Sequence, residues 1–434
     1  MDHRRVIAKL LDEPSREFDV ELWDGTTLPR KSPRSAAGRV ILRSPKALMA
    51  FAPPVAERRA AAAFVDGDVD IAGDTIGVLE AVALWEGPRF DVRAVPLALS
   101  AWMRDALAPA RGRISHGPRH SIGQDAAAVQ RHYDLSDDFY RLFLDARMVY
   151  SCAYFPRGDE SLDRAQEAKL ELACRKLNLQ PGDRLLDVGC GWGGLLLHAA
   201  TRFGVHATGT TVSRNQFDEA RTAVASAKLA ATVQVLQRDY RQLSTGTFDK
   251  VVSIGMMEHV GGAQLDTYFA RVFQRLRPGG LFLNHAIADV ARGTQTVRWL
   301  NRAAGGFIDR EIFPDSELPP IGAVVDAAER QGFEVRDVEC LREHYAQTLR
   351  HWLSRLEQRF EHASELVGAR TARTWRLYLA ASAVAFRLGR IGVYQTLLAK
   401  RTDRGEAAGV PRTRRPWYDE PPVSGVPSAA AHTA

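Results

Sequence analysis

The 434-residue sequence contains few cysteines and no long apolar run, and both absences narrow the classes of protein that it can be. No apolar stretch approaches the roughly 18 residues that span a bilayer, and the N-terminus has no extended apolar segment after its charged residues. We therefore expect a cytoplasmic protein. The four cysteines lack metal-ligand spacing and are expected to remain reduced thiols; they are Cys152, Cys174, Cys190 and Cys340.

Metal-binding motifs of the HExxH and CxxC kinds are also missing. Glu258, His259, His285 and Cys152 carry groups that bind metals, but without such spacing we predict no metal site. The net charge of +6 and the pI of about 9.2 are a modest basic excess for this length. Charge alone therefore leaves both nucleic acid and anionic lipid open as partners.

The length predicts two domains, and a composition of 45% hydrophobic and 25% charged residues is that of a globular protein. Residues 1–105 mix short strand and helix patterns, which predicts a small α+β domain. Residues 106–127 combine basic residues with proline and glycine, as is typical of a linker. Residues 128–400 form the predicted larger domain. Residues 401–434 are rich in proline, alanine, glycine and arginine, and we expect them to be disordered.

Strand and helix patterns alternate through the larger domain. Such alternation predicts an α/β fold, in which helices cover both faces of a parallel sheet and ligands bind at the carboxyl ends of its strands. The turn before the fifth strand is predicted at Pro278-Gly279-Gly280. The predicted helices are residues 194–203, 214–228 and 264–276. The predicted strands are residues 184–188, 206–212, 232–236, 250–254, 281–288, 333–340 and 391–398.

A glycine-dense loop, LLDVGCGWGG at residues 185–194, follows the first of these strands. Such a loop places backbone N–H groups and a helix N-terminus where a polar cofactor can bind, although similar loops serve several cofactors or none. A dinucleotide-binding fold needs an acidic residue about 20 residues further on, and the strand at residues 206–212 ends without one. Hydroxyl and amide groups between Thr211 and Gln216 can take over ribose recognition. The sequence therefore favours S-adenosylmethionine (AdoMet) over NAD.

A long excursion from the sheet, residues 289–320, carries large apolar side chains that include Trp299, Phe307 and Phe313. Insertions of this length beside a cofactor site often form lids or substrate-binding walls, and an apolar insertion indicates a hydrophobic substrate. A peripheral helical cap with its own small core explains the same residues equally well.

Six blocks in a fixed order carry a family likeness. The first is HYDLSDDFYRLFLDARMVYSCAYF, residues 132–155, and the second is the glycine loop. The others are SIGMMEHVG (253–261), LNHAI (283–287), FIDREIFP (307–314) and HYAQTLRHW (344–352). Over residues 125–400 the chain strongly resembles the cyclopropane-fatty-acyl-phospholipid synthases and the related mycolic acid cyclopropane synthases. Residues 1–105 resemble the smaller domain of the phospholipid-acting enzymes more loosely.

The resemblance implies a fold, a cofactor site and a catalytic site. The implied fold is an AdoMet-dependent methyltransferase with a Rossmann-like, seven-stranded sheet. The implied AdoMet site consists of Tyr133, Ser151, Asp187, Gly189, Cys190, Gly191, Gly193, Thr211, Gln216, Asp239 and Tyr240. The implied bicarbonate site consists of Cys152, Glu258, His285, Tyr345 and the backbone of Ile287.

Two positions depart from the family's pattern. Asp137 stands where asparagine is usual, and Ser382 stands where some members have a cysteine. Since a serine hydroxyl needs an activating base before it acts as a nucleophile, Ser382 argues against covalent cysteine catalysis at that position.

The reaction implied by the resemblance is transfer of the AdoMet methyl group to a cis double bond of a phospholipid acyl chain, with ring closure assisted by bicarbonate as the base. The nearest alternative is a related fatty-acyl methyltransferase that gives a methylene- or methyl-branched chain. A small-molecule methyltransferase is a further alternative. A catalytically inactive lipid-binding protein is disfavoured, because Cys152, Glu258, His285 and Tyr345 are all intact.

The partners expected from this reading are unsaturated phospholipid acyl chains and the inner face of the membrane, which the protein would contact peripherally through its basic residues. No nucleic-acid partner is expected, and a homodimer is compatible with the sequence.

Overall fold

The computed structural model describes residues 16–30, 32, 38–47, 56–84, 135–243, 246–290, 317–405 and 409–419. The predicted basic linker, most of the apolar excursion, the block at residues 307–314 and Tyr133 lie outside these residues.

The N-terminal unit, residues 16–84, is a small sheet covered by two helices. Its sheet has the order β2-β1-β3-β4, and helix α1 precedes β4 while α2 follows it. Gly67, at φ +86°, makes the turn from α1 into β4. The bounds are β1 (Asp19–Glu21), β2 (Thr27–Leu28), β3 (Gly38–Leu42), α1 (Ala56–Asp66), β4 (Val69–Gly73) and α2 (Thr75–Leu84).

The larger unit begins with two helices, α3 (Asp137–Arg141) and α4 (Leu162–Lys176). Alternating strands and helices follow: β5 (Arg184–Val188), α5 (Gly194–Phe203), β6 (His206–Thr211), α6 (Arg214–Ser226), β7 (Val233–Gln237), β8 (Phe248–Ile254), α7 (Leu265–Arg275) and β9 (Leu276–Asp289). The remaining elements are α8 (Ile321–Arg330), β10 (Glu334–Cys340), α9 (Arg342–Gln358), α10 (Phe360–Val367), α11 (Ala369–Arg387), β11 (Ile391–Ala399) and α12 (Arg415–Tyr418). All seven predicted strands are present in this unit.

These seven strands form one sheet in the order β10-β11-β9-β8-β5-β6-β7. The strands from β9 to β7 are parallel, whereas β11 pairs antiparallel with both β9 and β10. The chain runs from β5 outward to β6 and β7 and then returns to β8 on the other side of β5. The carboxyl ends of β5 and β8 therefore flank the topological switch point, where α/β sheets bind ligands.

Strand β9 begins earlier than predicted. Pro278-Gly279-Gly280 was expected to form a turn before it, but these residues belong to the strand, which is irregular in its pairing with β8. The Gly279 N–H donates to the Lys400 carbonyl at 2.6 Å, and Lys400 Nζ donates to the Leu276 carbonyl at 2.8 Å. A Cβ at Gly280 would lie 2.8 Å from the Asp249 carbonyl oxygen, so only glycine allows this close approach of strands.

Helix α11 packs against both helices of the N-terminal unit. Arg376 on α11 reaches Asp70 Oδ1 at 3.1 Å and the Ile71 carbonyl at 3.0 Å through its guanidinium group. Its Nε also donates to Glu357 of α9 at 2.7 Å. Arg373, one turn earlier, lies over the Phe64 ring with its Cζ 4.6 Å from the ring centroid. The two units are thus joined by largely buried, charge-assisted hydrogen bonds.

The expectation of a disordered tail is wrong for residues 409–419. Trp417 in α12 is buried against the larger unit, and Lys176 Nζ lies 5.5 Å from the centroid of its ring. Arg414 donates from Nε to Asp337 Oδ1 at 2.8 Å. One aromatic anchor and one ion pair hold this short segment in place, and overall composition does not reveal such local anchors.

No helix in the described parts of the chain is long and apolar enough to cross a membrane. The four cysteines are free thiols, of which only Cys340 is exposed. Groups of three or more side chains suited to bind one metal ion do not occur among the residues that the structure describes.

Candidate active site

A cleft opens at the switch point between β5 and β8. Its empty volume, measured out to the solvent, is about 1120 Å³. The glycine loop after β5, the end of β6, and the segment after β8 contribute to its wall. Eight of the predicted AdoMet contacts line the cleft: Ser151, Asp187, Gly189, Gly191, Thr211, Gln216, Asp239 and Tyr240. Their contact with the cofactor stays a prediction, but the fold brings them to one place.

The glycine loop explains how the backbone reaches the cleft. Gly189 and Gly191 have φ values of +83° and +55°, which favour glycine. A Cβ at Gly189 would lie 2.9 Å from Met256 Cγ, whereas a Cβ at Gly191 would meet no atom within 4 Å. Gly191 thus faces open space in the cleft. The N–H groups of Gly189 and Cys190 both donate to the Thr210 carbonyl, at 3.0 and 2.9 Å, which ties the loop to β6.

Two residues predicted for this site do not line the cleft. The Cys190 side chain packs into the core beside Gly209, where an added Cβ would lie 2.8 Å from Cys190 Sγ. Gly193 caps α5 in the left-handed conformation, with an added Cβ 3.3 Å from that of Ala220. Both residues therefore stabilise the conformation of the loop and are not part of the surface that faces the cleft.

The polar groups after β6 bind one another. Thr211 Oγ1 donates to Gln216 Oε1 at 2.8 Å and accepts from the Ser213 N–H at 3.2 Å. On the neighbouring strand end, Asp239 accepts hydrogen bonds from the Arg241 guanidinium group at 2.9 and 2.7 Å. Hydroxyl and amide groups are thus held rigidly at the edge where the sequence predicts recognition of a ribose, and the Asp239 carboxylate is held at the neighbouring strand end.

Lys169, which was not predicted from the sequence, is a buried charge in the wall of the cleft. Its ammonium group donates to Ser151 Oγ at 2.9 Å. Burial lowers the pKa of Lys169 to about 8, and burial raises the pKa of Asp187 to about 7 although the charge of Lys169 opposes that shift. The sequence does carry a signal, because Lys169 lies four residues from Ala165 and Ala173 on the apolar face of α4.

We call the predicted bicarbonate ligands the inner polar cluster: Cys152, Glu258, His285, Tyr345 and the backbone of Ile287. Glu258 is in direct contact with Ile287, His285 lies on the same strand as Ile287, and Cys152 and Tyr345 belong to one hydrophobic core. Glu258 lies in a short 3₁₀ turn after β8, and its Oε1 accepts a hydrogen bond from the Ile287 N–H at 2.8 Å. The Ile287 amide, predicted as an anion donor, is therefore engaged by Glu258. Burial raises the pKa of Glu258 to about 7, against the effect of that hydrogen bond.

His285 lies two residues before Ile287 on β9, so both side chains project from the same face. Within the described residues, His285 Nε2 and Glu258 Oε2 are buried and have no hydrogen-bond partner. Leaving a buried polar atom unpaired costs about 1–3 kcal/mol. Buried atoms of this kind mark a place where a polar ligand can bind.

Cys152 and Tyr345 belong to the same aromatic-rich core. Cys152 Sγ is 3.2 Å from the Ala153 carbonyl, and burial raises the pKa of this thiol well above its usual value. It is therefore a neutral thiol and not a nucleophile. The Tyr345 ring lies 4.6 Å from the ring of Phe386 and 6.1 Å from that of Trp352, centroid to centroid. These rings place an apolar wall beside the cluster.

The two departures from the family pattern have clear structural surroundings. Asp137 Oδ1 accepts a hydrogen bond from Trp192 Nε1 of the glycine loop at 2.8 Å, a role that an asparagine oxygen could also fill. Ser382 is buried on α11 and is hydrogen-bonded to Tyr378, whose pKa burial raises to about 12. Neither residue is an activated nucleophile.

A seven-stranded sheet with a glycine loop and an acid-free second strand at its switch point defines an AdoMet-dependent methyltransferase. The family model of mycolic acid cyclopropane synthetase matches residues 120–396, and the chain belongs to this family.

Some relatives match nearly the whole chain, and others match a length close to that of the larger unit. A probable fatty acid methyltransferase from Pseudomonas putida is 40% identical over 402 residues, which are 92% of this chain and 95% of that protein. Cyclopropane mycolic acid synthase 1 of Mycobacterium tuberculosis is 40% identical over 275 residues, or 62% of this chain and 95% of its own. The crystal structure of the mycolic acid cyclopropane synthase CmaA1 complexed with SAH and CTAB matches with a TM-score of 0.59 and 39% identity, covering 63% of this chain and 97% of that one.

These findings confirm the predicted family, the fold class and AdoMet as the cofactor. The protein is an AdoMet-dependent C-methyltransferase of the cyclopropane synthase type.

Proposed function

We propose that this protein is a cyclopropane-fatty-acyl-phospholipid synthase that acts on cis double bonds in phospholipid acyl chains and uses bicarbonate as the base. The observation that carries the proposal is the pair of buried polar atoms, Glu258 Oε2 and His285 Nε2, which lack partners within the described residues.

Bicarbonate fits these groups because it both accepts and donates hydrogen bonds. Its charged oxygens can accept from an imidazole N–H and a phenol, and its hydroxyl can donate to a carboxylate oxygen. His285, Tyr345 and Glu258 offer those three kinds of group. A simple anion such as chloride would leave the Glu258 oxygen facing a negative charge, which is repulsive.

When bound, AdoMet supplies an electrophilic methyl group, and bicarbonate supplies a base for the proton that leaves before the ring closes. The protein's own groups position the reactants and keep water away from the developing cation. The glycine loop and the strand ends hold the cofactor, while the rings of Tyr345, Phe386 and Trp352 form a dry wall. Glu258 and His285 offer hydrogen-bonding groups to the anion.

The named relatives support an acyl-chain substrate. One is described as a fatty acid methyltransferase and another as a cyclopropane mycolic acid synthase. The CmaA1 complex contains SAH together with CTAB, so that relative accommodates a cofactor product and a long-chain amphiphile at once. A phospholipid as the particular carrier of the acyl chain is our inference from the N-terminal unit, which the relative from Pseudomonas putida shares over its matched length.

Reversible contact with the inner face of an anionic membrane is part of this proposal. The net charge of +6 favours such contact. Some basic side chains of the N-terminal unit are paired with carboxylates, since Arg39 lies 3.2 Å from Glu21 and Arg43 lies 3.0 Å from Asp70. We therefore expect weak, salt-sensitive binding to anionic vesicles in sedimentation experiments. Binding that does not change with salt would contradict an electrostatic contact.

The deciding experiment is analysis of phospholipids from cells that express the protein, by mass spectrometry and two-dimensional NMR. A gain of one methylene unit with upfield ring protons supports the proposal. Exomethylene or methyl-branch signals would assign the related branching reaction instead. Purified enzyme assayed in carbonate-free buffer should turn over slowly and recover when bicarbonate is added, and unchanged turnover would contradict the base that we propose.

A further inference from the structure

We propose that Gln395 fixes the tautomer of His285, so that His285 offers an N–H donor to the inner polar cluster and does not act as a base. The role of that donor rests on the proposed function, in which a bicarbonate oxygen accepts its hydrogen bond. The tautomer assignment itself rests on contacts within the protein.

Gln395 and His285 are directly opposite each other on β11 and β9. Both side chains are buried, and Gln395 Nε2 lies 3.2 Å from His285 Nδ1. An amide nitrogen is only a donor. The ring nitrogen that faces it must therefore accept the hydrogen bond, which requires Nδ1 to be without a proton.

The orientation of the Gln395 amide follows from the surroundings of its other terminal atom. With Nε2 toward His285, Gln395 Oε1 has no hydrogen-bond partner among the described residues. A flipped amide would instead leave an NH₂ group in that position without an acceptor. Buried unpaired N–H groups are rarer in proteins than carbonyl oxygens with unused capacity, so the orientation with Nε2 toward His285 is favoured.

The imidazole is neutral. Burial lowers the pKa of His285 well below 6.5, and the charges of Lys169 and Lys176 lower it further. A neutral imidazole carries one proton, and Gln395 excludes it from Nδ1. The proton is therefore on Nε2, the atom that is buried without a partner within the described structure.

This arrangement separates the roles of two residues. Many catalytic histidines donate from Nδ1 and keep Nε2 free to take a proton. Here the order is reversed, so His285 can bind an anion but cannot accept the proton released on ring closure. That proton goes to bicarbonate, as in the proposed function, and Glu258 Oε2, which has no partner within the described residues, can accept a hydrogen bond from the hydroxyl of the anion. Gln395 is thus a positioning residue that acts through His285.

The direct test is the tautomer of His285 in the wild-type protein with selectively ¹⁵N-labelled histidine. A long-range ¹H–¹⁵N correlation spectrum distinguishes protonated from bare ring nitrogens, and His285→Phe identifies the signals among the 12 histidines. We expect a protonated Nε2 and a bare Nδ1. A protonated Nδ1, whether alone or in an imidazolium ion, would overturn the proposal.

A kinetic test uses Gln395→Met, which keeps the side-chain length but removes the donor. Thr396→Val is the matched control, because Thr396 is the next residue on β11, faces the other side of the sheet, and has a buried hydroxyl without a partner among the described residues. We expect Gln395→Met to lose the single tautomer and to need about fivefold more bicarbonate for half-maximal activation, the effect of one ordinary hydrogen bond. Thr396→Val should change neither quantity, and both variants should keep the KM for AdoMet.

The outcomes separate the tautomer from the anion. If the wild type shows the expected tautomer but its activity does not depend on bicarbonate, the anion in the proposed function is wrong and the assignment of Gln395 stands. If Gln395→Met keeps the single Nε2–H tautomer, Gln395 does not set it and the inference fails. A change in the tautomer together with weaker bicarbonate activation supports both.

Discussion

The cofactor cleft and the inner polar cluster lie side by side but are built in different ways. The cleft is made mainly of backbone and strand ends, and its polar side chains bind one another, as Thr211 binds Gln216 and Asp239 binds Arg241. The cluster is made of single side chains from separate elements, and it leaves Glu258 Oε2 and His285 Nε2 unpaired within the described residues. The first arrangement suits shape recognition, whereas the second holds polar atoms ready for a small ligand and for charge that develops during the reaction.

The largest effect should come from filling the cleft. Gly191→Leu places a side chain in space where a Cβ at this position meets no atom within 4 Å. We expect AdoMet affinity to fall at least about 100-fold, because the ligand and the new side chain compete for one volume. Titration calorimetry measures this loss. The control is Gly182→Leu, at an exposed turn with φ +85° and equally open space, which carries the strain of a positive φ without touching the cleft.

Normal AdoMet binding by Gly191→Leu, with Gly182→Leu unchanged, would show that the cofactor does not approach this face of the loop. Circular dichroism of both variants checks that the fold is kept.

The second effect should appear in turnover and not in binding. Glu258→Gln keeps the acceptor for the Ile287 N–H but cannot take or share a proton, so kcat should fall by about 10²–10³. AdoMet affinity should stay within about threefold, because the cleft is intact. Glu343→Gln, at a largely exposed carboxylate on α9, is the control and should keep wild-type kcat. Equal losses of affinity and kcat in Glu258→Gln would contradict the division between cleft and cluster.

The same substitution should stabilise the protein at high pH. The carboxyl of Glu258 has a pKa of about 7 in the folded state and an ordinary pKa of 4.5, so the folded state holds the proton more firmly between these pH values. Stability from this group therefore falls as pH rises from about 4.5 to 7 and is constant above. Because glutamine never ionises, the variant should gain about 3 kcal/mol over the wild type at pH 8 and almost nothing at pH 4.5.

Chemical denaturation in carbonate-free buffer, at both pH values, measures this difference. Asp187 and His259 also titrate with shifted pKa values, but they are present in both proteins and their effects cancel. A variant that is less stable than the wild type at pH 8 would show that the Glu258 carboxylate is better solvated than its burial indicates.

The contrast between the two regions also explains what the sequence could predict. Strand β5 and helix α5 begin and end where expected, because a buried parallel strand is a short apolar run and glycines mark the turn after it. The cleft follows from the order of these elements. Contacts between side chains that are distant in sequence do not show local patterns. Lys169, Gln395 and Trp417 all act through partners on other elements, and only Lys169 leaves a trace, as a charge on an apolar helix face.

The interface between the two units should matter for stability more than for cofactor binding. Arg376→Met removes the guanidinium group that joins Asp70 and Glu357, and both carboxylates are partly buried. We expect a loss of about 2 kcal/mol in the free energy of unfolding, since Asp70 keeps its contact with Arg373. AdoMet affinity should not change. Arg336→Met, at a surface pair with Glu334, is the control and should cost less than about 1 kcal/mol.

Denaturant unfolding with calorimetry of AdoMet binding measures both quantities for each variant. If Arg376→Met weakens AdoMet binding as much as it weakens the fold, the N-terminal unit is coupled to the cleft more closely than the contacts of α11 indicate.

The smallest effect concerns the link between α3 and the glycine loop. Asp137→Asn keeps an oxygen that can accept the hydrogen bond from Trp192 Nε1, now at 2.8 Å, so AdoMet affinity should change less than about twofold. Asp137→Leu removes this acceptor, so affinity should fall by about fivefold, the effect of one hydrogen bond. The comparison tests whether the glycine loop depends on this acceptor or only on the charge of Asp137. If Asp137→Asn and Asp137→Leu weaken AdoMet binding equally, the charge of Asp137 matters and its hydrogen bond does not. Family members with the usual asparagine at this position would then hold the glycine loop in a different geometry.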